Sequence, residues 1–343
     1  MEKADIKNLS KDELEKALAE IGEEPYRAMQ IFKWLYKTGV KSFDEMTDIG
    51  KDLREKLKSK FHLTKLILLD SKHSLIDGTT KYLFKLEDSN TIESVFLPED
   101  KRVTLCLSSQ VGCKFGCAFC ASASLGFIRN LKASEILDEA LFTKNKNPSS
   151  VITNIVFMGI GEPLDNYDNV LKAVRVLNDE DAFKIGARKI TISTCGIIPG
   201  IERLSDEKLQ IELSVSLHSA DDAVRSKLVP VNKRYPLKDT IAACKNYVRK
   251  TKRIITFEYV LIKDVNVSEK DADDLARLLK GMICKVNTIS YNQIRAKGYE
   301  APSNEDVKIF INTLKKRGIN VLRRKSKGED IDAGCGQLRI SKF

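Results

Sequence analysis

From residue 102 onward the chain repeats one pattern, and this repetition limits its architecture more than any other feature. Seven short β-rich runs, "RVTLCLSS", "NIVFMGI", "KITISTC", "IELSVSLH", "ITFEYVLI", "KVNTISYN" and "NVLRR", alternate with helical stretches of about ten to fifteen residues. Repeated strand–helix units place successive strands parallel with helices outside, as an open sheet or a barrel. In such folds chemistry gathers at the C-terminal ends of the strands. A cysteine-rich loop follows the first run, "GIGEP" the second, "STCG" the third, "SLHS" the fourth and "SYN" the sixth. Their shared position predicts one common site.

The sequence before residue 102 has a different grain. Ser10 and Glu13 have capping-box spacing before "LEKALAEIG", with Gly22 as a stop. "PYRAMQIFKWLYKTG" follows, with Pro25 placed to start a helix and Gly39 to end it. Ile31, Phe32, Trp34 and Leu35 fall at helical spacing, which reads as core ahead of a base-stacking surface. The runs "TKLILLD", "TKYLFKLE" and "TIESVFLP", separated by "DGTT" and "DSN", predict a small antiparallel sheet. The expected organisation is an N-terminal helical accessory domain over 1–62, a β extension over 63–98, an α/β domain over 99–325 and a tail over 326–343.

The 343 residues carry a formal charge of +10, which favours a polyanionic partner. Residues 315–327, "KKRGINVLRRKSK", hold seven Lys or Arg and no acid, a candidate phosphate-contacting face or a solvated helix end. "LILL" at 66–69 is among the longest apolar runs and is far too short to span a bilayer. With no apolar leader near the N-terminus, a soluble cytoplasmic protein is expected, with no membrane association.

Eight cysteines in a reducing compartment do not suggest a disulfide framework. Cys113, Cys117 and Cys120 cluster in the loop "GCKFGCAFCASASLG" at 112–126, while Cys106, Cys195, Cys244, Cys284 and Cys335 are scattered. A structural zinc site wants four closed ligands, and no second Cys or His pair stands nearby. Iron–sulfur clusters use short local cysteine runs, and a 4Fe–4S cluster with three protein ligands keeps one iron open. Cys335 lies between Gly334 and Gly336, a mobile setting from which it could reach into a site.

Cys-x₃-Cys-x₂-Cys after the first strand of a βα-repeat domain resembles the radical S-adenosylmethionine (SAM) superfamily. "MGIGEPLDN" is similar to its SAM-binding segment. Across nearly the full length the chain resembles the RlmN/Cfr family of radical SAM RNA methyltransferases, on the RlmN side. The stretches that carry this are "GEEPYRAMQIFKWLYKTGV", "TLCLSSQVGCKFGCAFC", "ISTCGIIPGI", "SLHSADDAVRSKLVPVNKRYP" and "GEDIDAGCGQL". The resemblance implies a partial (β/α)6 barrel, a 4Fe–4S cluster on Cys113, Cys117 and Cys120, and two SAM molecules per turnover. It places Gly161, Glu162, Ser193, Ser216, Leu217, His218 and Asn292 at SAM.

It further implies that Cys335 carries the methyl carbon, that Glu93 accepts a proton, and that Cys106 resolves the covalent enzyme–RNA link through a transient disulfide. The implied reaction is methylation of adenosine carbon 2 in 23S rRNA near the peptidyl-transferase centre, with tRNA adenosine 37 as a second candidate. A one-electron donor such as flavodoxin and a monomeric state go with it. Alternatives are Cfr-like methylation at carbon 8, a zinc-stabilised RNA-binding protein, and a radical activase acting on a protein. Ser122, Gln293 and Gly334 depart from the family's usual Thr, Pro and Ala. The segment 315–327 and the N-terminal helices, with Lys33, Lys37 and Lys41, are the expected RNA-contacting surfaces.

Overall fold

The computed structural model describes residues 3–294 and 298–338, so the last five residues of the expected tail lie outside it. At the N-terminus, β1 (Ala4–Asp5) pairs in parallel with β2 (Phe61–His62), enclosing helices α1 (Lys11–Ala19), α2 (Tyr26–Lys33) and α3 (Lys51–Lys60). Ser10 and Glu13 form the expected capping box, and Pro25 caps α2. The helix runs on as a π turn over Trp34–Thr38 and ends at Gly39 with φ +77°. Ile31, Phe32 and Leu35 are buried, as a core face requires, and the Trp34 indole N–H donates to Asp48.

The three β-rich runs become β3 (Ile67–His73), β4 (Thr80–Lys85) and β5 (Thr91–Glu99), antiparallel as expected. They do not form a sheet of their own. β5 pairs antiparallel with β6 (Arg102–Cys106), the first strand of the repeat, through Val95↔Cys106 and Leu97↔Thr104. An open strand edge is a liability, and β3–β5, a wing on the repeat, cover the β6 edge with a full ladder.

The repeat itself folds as read. β6, β9 (Asn154–Phe157), β10 (Ile190–Thr194), β11 (Glu212–Ser216), β12 (Ile255–Leu261), β13 (Cys284–Ser290) and β14 (Val321–Arg323) are parallel neighbours in sequence order. Their crossovers carry α4 (Ala133–Lys146), α5 (Tyr167–Asn178), α6 (Ile198–Asp206), the pair α7 (Asp222–Leu228) and α8 (Leu237–Thr251), α9 (Glu269–Leu279) and α10 (Asn304–Lys316). With the wing this makes one ten-stranded sheet whose edges are β14 and β3, so the barrel stays open. β12 is buried along all seven residues, "ITFEYVL", the near-continuous burial of a central parallel strand.

After β14 the tail crosses the opening toward the wing. Gly328 N–H donates to Asp77 Oδ2 (2.9 Å) in the β3–β4 turn, and Lys81 Nζ donates to the Asp332 carbonyl (3.0 Å). The tail also meets the cysteine loop: Ala121 N–H donates to Gly336 O (2.7 Å) and Ser122 Oγ to Leu338 O (2.6 Å).

Candidate active site

The cysteine loop is held between two short antiparallel strands, β7 (Gln110–Gly112) and β8 (Phe127–Asn130). Gly112 has φ +76°, and a Cβ there would stand 1.9 Å from the Gly126 carbonyl, which accepts from Cys113 N–H at 2.9 Å. Only glycine fits this crossing of two backbones. Ala118 N–H donates to Leu228 O and Cys120 N–H to Cys117 O, fixing the loop's far side.

Cys113, Cys117 and Cys120 line one cavity at the C-terminal ends of the parallel strands, together with Gly161, Glu162, Ser193, Ser216, His218 and Asn292. Its empty volume, counting the open mouth, is about 1060 Å³, ample for a cofactor. Leu217 is fully buried and does not line it. Gly161 has φ +105°, and a Cβ there would press within 2.5 Å of Gln110 Cβ. The Glu162 carboxylate is already engaged, accepting from Leu164 N–H (2.9 Å) and Cys195 N–H (2.7 Å), so it ties the loop after β9 to the loop after β10. Burial raises its pKa and these hydrogen bonds pull it back down.

His218 stands at φ +61° with Nδ1 accepting from Val260 N–H at 3.0 Å. That bond places the ring proton on Nε2, which is buried without a partner among the described residues. Burial first, and then the Arg225 charge, holds its pKa at about 3, so the ring is neutral. Arg225 is itself fully buried and donates to Cys195 O (2.8 Å) and Ser216 O (3.3 Å), bracing the ends of β10 and β11.

A second cavity adjoins the first. Cys106 lines it from β6, Arg102, Arg323, Arg324, Lys325 and Lys327 supply positive charge, and Cys335 lines both cavities. Cys335 is exposed, and its carbonyl accepts from Asn292 Nδ2 at 3.1 Å. Desolvation in the cavity raises its thiol pKa, and the Arg324 guanidinium acts in the opposite direction. Burial also pushes up the Cys106 thiol, and the nearby Cys335 adds to this. All eight cysteines are free thiols.

Glu93 lies on β5, buried, with its carboxylate 3.2 Å from Lys81 Nζ, and lines neither cavity. The basic segment divides: Arg317 pairs with Asp273 (2.8 Å) on the helical side, while residues 323–325 and 327 face the second cavity. Lys33 is paired with Asp181 (3.3 Å). Glu258 was not singled out from the sequence, and its partner Arg324 was read only as part of the basic segment 315–327. They pair at 3.5 Å, and Glu258 also accepts from Asn287 Nδ2 at 3.0 Å. Inward alternation on β12 puts Glu258 in the interior, a polar residue amid an apolar run and the one signal that marks it.

Comparison with known proteins bears on this geometry. The model of the family described as "Ribosomal RNA large subunit methyltransferase N-terminal domain" matches residues 4–63, and that of the "Radical SAM superfamily" matches residues 107–279. The "Probable dual-specificity RNA methyltransferase RlmN" of Alkaliphilus oremlandii is 47% identical over 339 residues, 99% of this chain and 98% of its own length. That of Thermoanaerobacter sp. is 47% identical over 334 residues, 97% of each chain. The chain belongs to the RlmN family. A crystal structure of a radical SAM methyltransferase from Sphaerobacter thermophilus shares the fold at a TM-score of 0.93 and 43% identity, covering 98% of this chain and 99% of that one.

An RlmN-family radical SAM protein employs SAM and a 4Fe–4S cluster, and the residues present fit both. Cys113, Cys117 and Cys120 line one cavity wall, and a cluster that takes each thiolate on a separate iron suits three such donors. The unpartnered His218 Nε2–H beside them is a donor awaiting a polar ligand.

Proposed function

We propose that this chain methylates carbon 2 of adenosine in 23S rRNA near the peptidyl-transferase centre, and in tRNA at adenosine 37. The observation that carries the reading is the position of Cys335, which faces the cysteine-loop cavity on one side and the basic cavity of Cys106 on the other. A carbon carrier must visit both a methyl source and a base.

Carbon 2 of adenine is electron-poor and cannot attack the SAM methyl as an ordinary nucleophile. Cys113, Cys117 and Cys120 would hold the cluster, and what it supplies with bound SAM is one-electron chemistry strong enough to take hydrogen from a methyl group. Gly161, Glu162, Ser193, Ser216, His218 and Asn292, which line the cavity, would seat SAM. The Cys335 thiolate takes a methyl from one SAM, and a second SAM is consumed in activating it, giving two per turnover. The carbon held on Cys335, one hydrogen atom short after that activation, bonds to carbon 2. The hydrogen on carbon 2 then leaves as a proton to Glu93 and one electron, which returns to the one-electron carrier. Cys106 then attacks the Cys335 sulfur. The S–S bond forms as the S–C bond breaks, and the electron pair passes to the departing carbon, which takes up a proton as the new methyl.

The arginines and lysines of the second cavity suit RNA phosphates, with the target base unstacked to enter. A flavodoxin-like one-electron donor, a monomeric state and a cytoplasmic location complete the proposal. It is tested by digesting RNA from cells with and without the gene and resolving the nucleosides. Gene-dependent 2-methyladenosine, lost in Cys335→Ala, is expected. 8-Methyladenosine would overturn the C2 assignment, and full methylation by Cys335→Ala would overturn the carrier.

A further inference from the structure

We propose that Lys81 is a positioning residue, its one ammonium setting the distance between the Glu93 carboxylate and the segment that carries Cys335. The register defines the face involved. Leu83 pairs with Glu93, Lys81 with Val95, and Val95 with Cys106, so the side chains of Lys81, Glu93, Val95 and Cys106 share one side of the sheet. Val95 and Cys106 line the second cavity, which makes this the cavity side.

On that face the Lys81 and Glu93 side chains are only 8% and 4% exposed. Lys81 Nζ lies 3.2 Å from Glu93 Oε1 and donates to the Asp332 carbonyl at 3.0 Å. A lysine this buried is retained only with partners for its charge and its donors. Here the partners come from two separate segments, a wing strand and the tail three residues before Cys335. Asp332 sits in the left-handed region at φ +53°, so its carbonyl is aimed by a turn that has few alternatives. The tail has a second anchor in the same hairpin, Gly328 N–H to Asp77 Oδ2, so it stays attached when Lys81 is changed.

The inference rests on Glu93 as proton acceptor, and the experiment separates the two claims. Full-length protein reconstituted with cluster would be given SAM, an RNA hairpin and a one-electron reductant (dithionite), as Lys81→Met, Lys81→Arg, Glu93→Gln and the Lys81→Met/Glu93→Gln double variant. Methylation of Cys335 is read by intact mass, and the covalent protein–RNA adduct by denaturing gel. Lys81→Met should methylate Cys335 normally, then accumulate adduct that decays roughly 10²-fold slower, the scale of a lost general base. Lys81→Arg should recover part of the decay rate, and the double variant should decay no slower than Glu93→Gln.

If Glu93→Gln traps adduct while Lys81→Met releases it at the parental rate, the role of Lys81 is overturned and that of Glu93 stands. If the double variant shows the product of the two single effects, Lys81 does not act through Glu93. If Glu93→Gln releases adduct normally, both claims fall together. Should Lys81→Met prove too unstable to purify, Lys81→Gln, which keeps a donor without the charge, takes its place, and release of adduct at the parental rate would overturn the role of Lys81 in the same way.

Discussion

At the scale of single residues, the polar atoms without partners are the most informative. His218 is neutral because its surroundings exclude the charged form, with a folded pKa of about 3 against 6.5 when free. Below pH 6.5 the unfolded chain therefore binds a proton that the folded chain refuses, and stability falls as the pH drops toward 3. By pH 5 the loss from this one ring amounts to about 2 kcal/mol. His218→Asn keeps an acceptor for Val260 N–H and cannot titrate. In urea unfolding, the stability gap between wild type and variant should narrow by that amount from pH 7 to pH 5, and a constant gap would refute the assignment. Gly161→Ala should abolish SAM binding by equilibrium dialysis, since its Cβ would meet Gln110 at 2.5 Å on a backbone already at φ +105°.

At the scale of elements, the tail is held by few bonds, and each can be weighed. Asn292 donates to the Cys335 carbonyl and accepts from Ser326 Oγ at 2.6 Å. Without SAM present, Asn292→Ala should speed alkylation of Cys335 by roughly three- to tenfold, the worth of one or two such bonds, measured on the Cys335 peptide by mass spectrometry. An unchanged rate would mean that other contacts fix the segment. The seven parallel strands and the cysteine loop were legible from the sequence because alternation and spacing are local signals. The β5–β6 ladder was not, because periodicity says which residues form a strand and not which strand lies beside it. Arg225 escaped notice for a related reason: on a basic chain an arginine reads as surface until packing buries it. The π turn at Trp34–Thr38 left no trace in a pattern that continues the helix.

At the scale of the whole molecule, the N-terminal segment is fastened to the barrel by several ion pairs, and Lys7–Asp138 is a buried one. Lys7 Nζ lies 2.5 Å from Asp138 Oδ1 on α4 and donates to Thr64 O at 2.9 Å, while Asp138 Oδ2 accepts from Leu66 N–H at 2.7 Å. Asp138→Ala leaves the Lys7 ammonium buried and uncompensated, and should cost about 3–5 kcal/mol in thermal or chemical unfolding. Lys7→Met, which removes the stranded charge as well when combined with it, should restore much of that loss. The tail has a different standing. It runs from one margin of the sheet to the hairpin near the other, which Gly328 and Asp332 contact, and beyond that contact its Cys335 and Gly336 become part of the cavity wall. On the proposed carbon-carrier role of Cys335, the chamber is bounded by its own reactant, and the wall that faces a reactive fragment is also the group that consumes it.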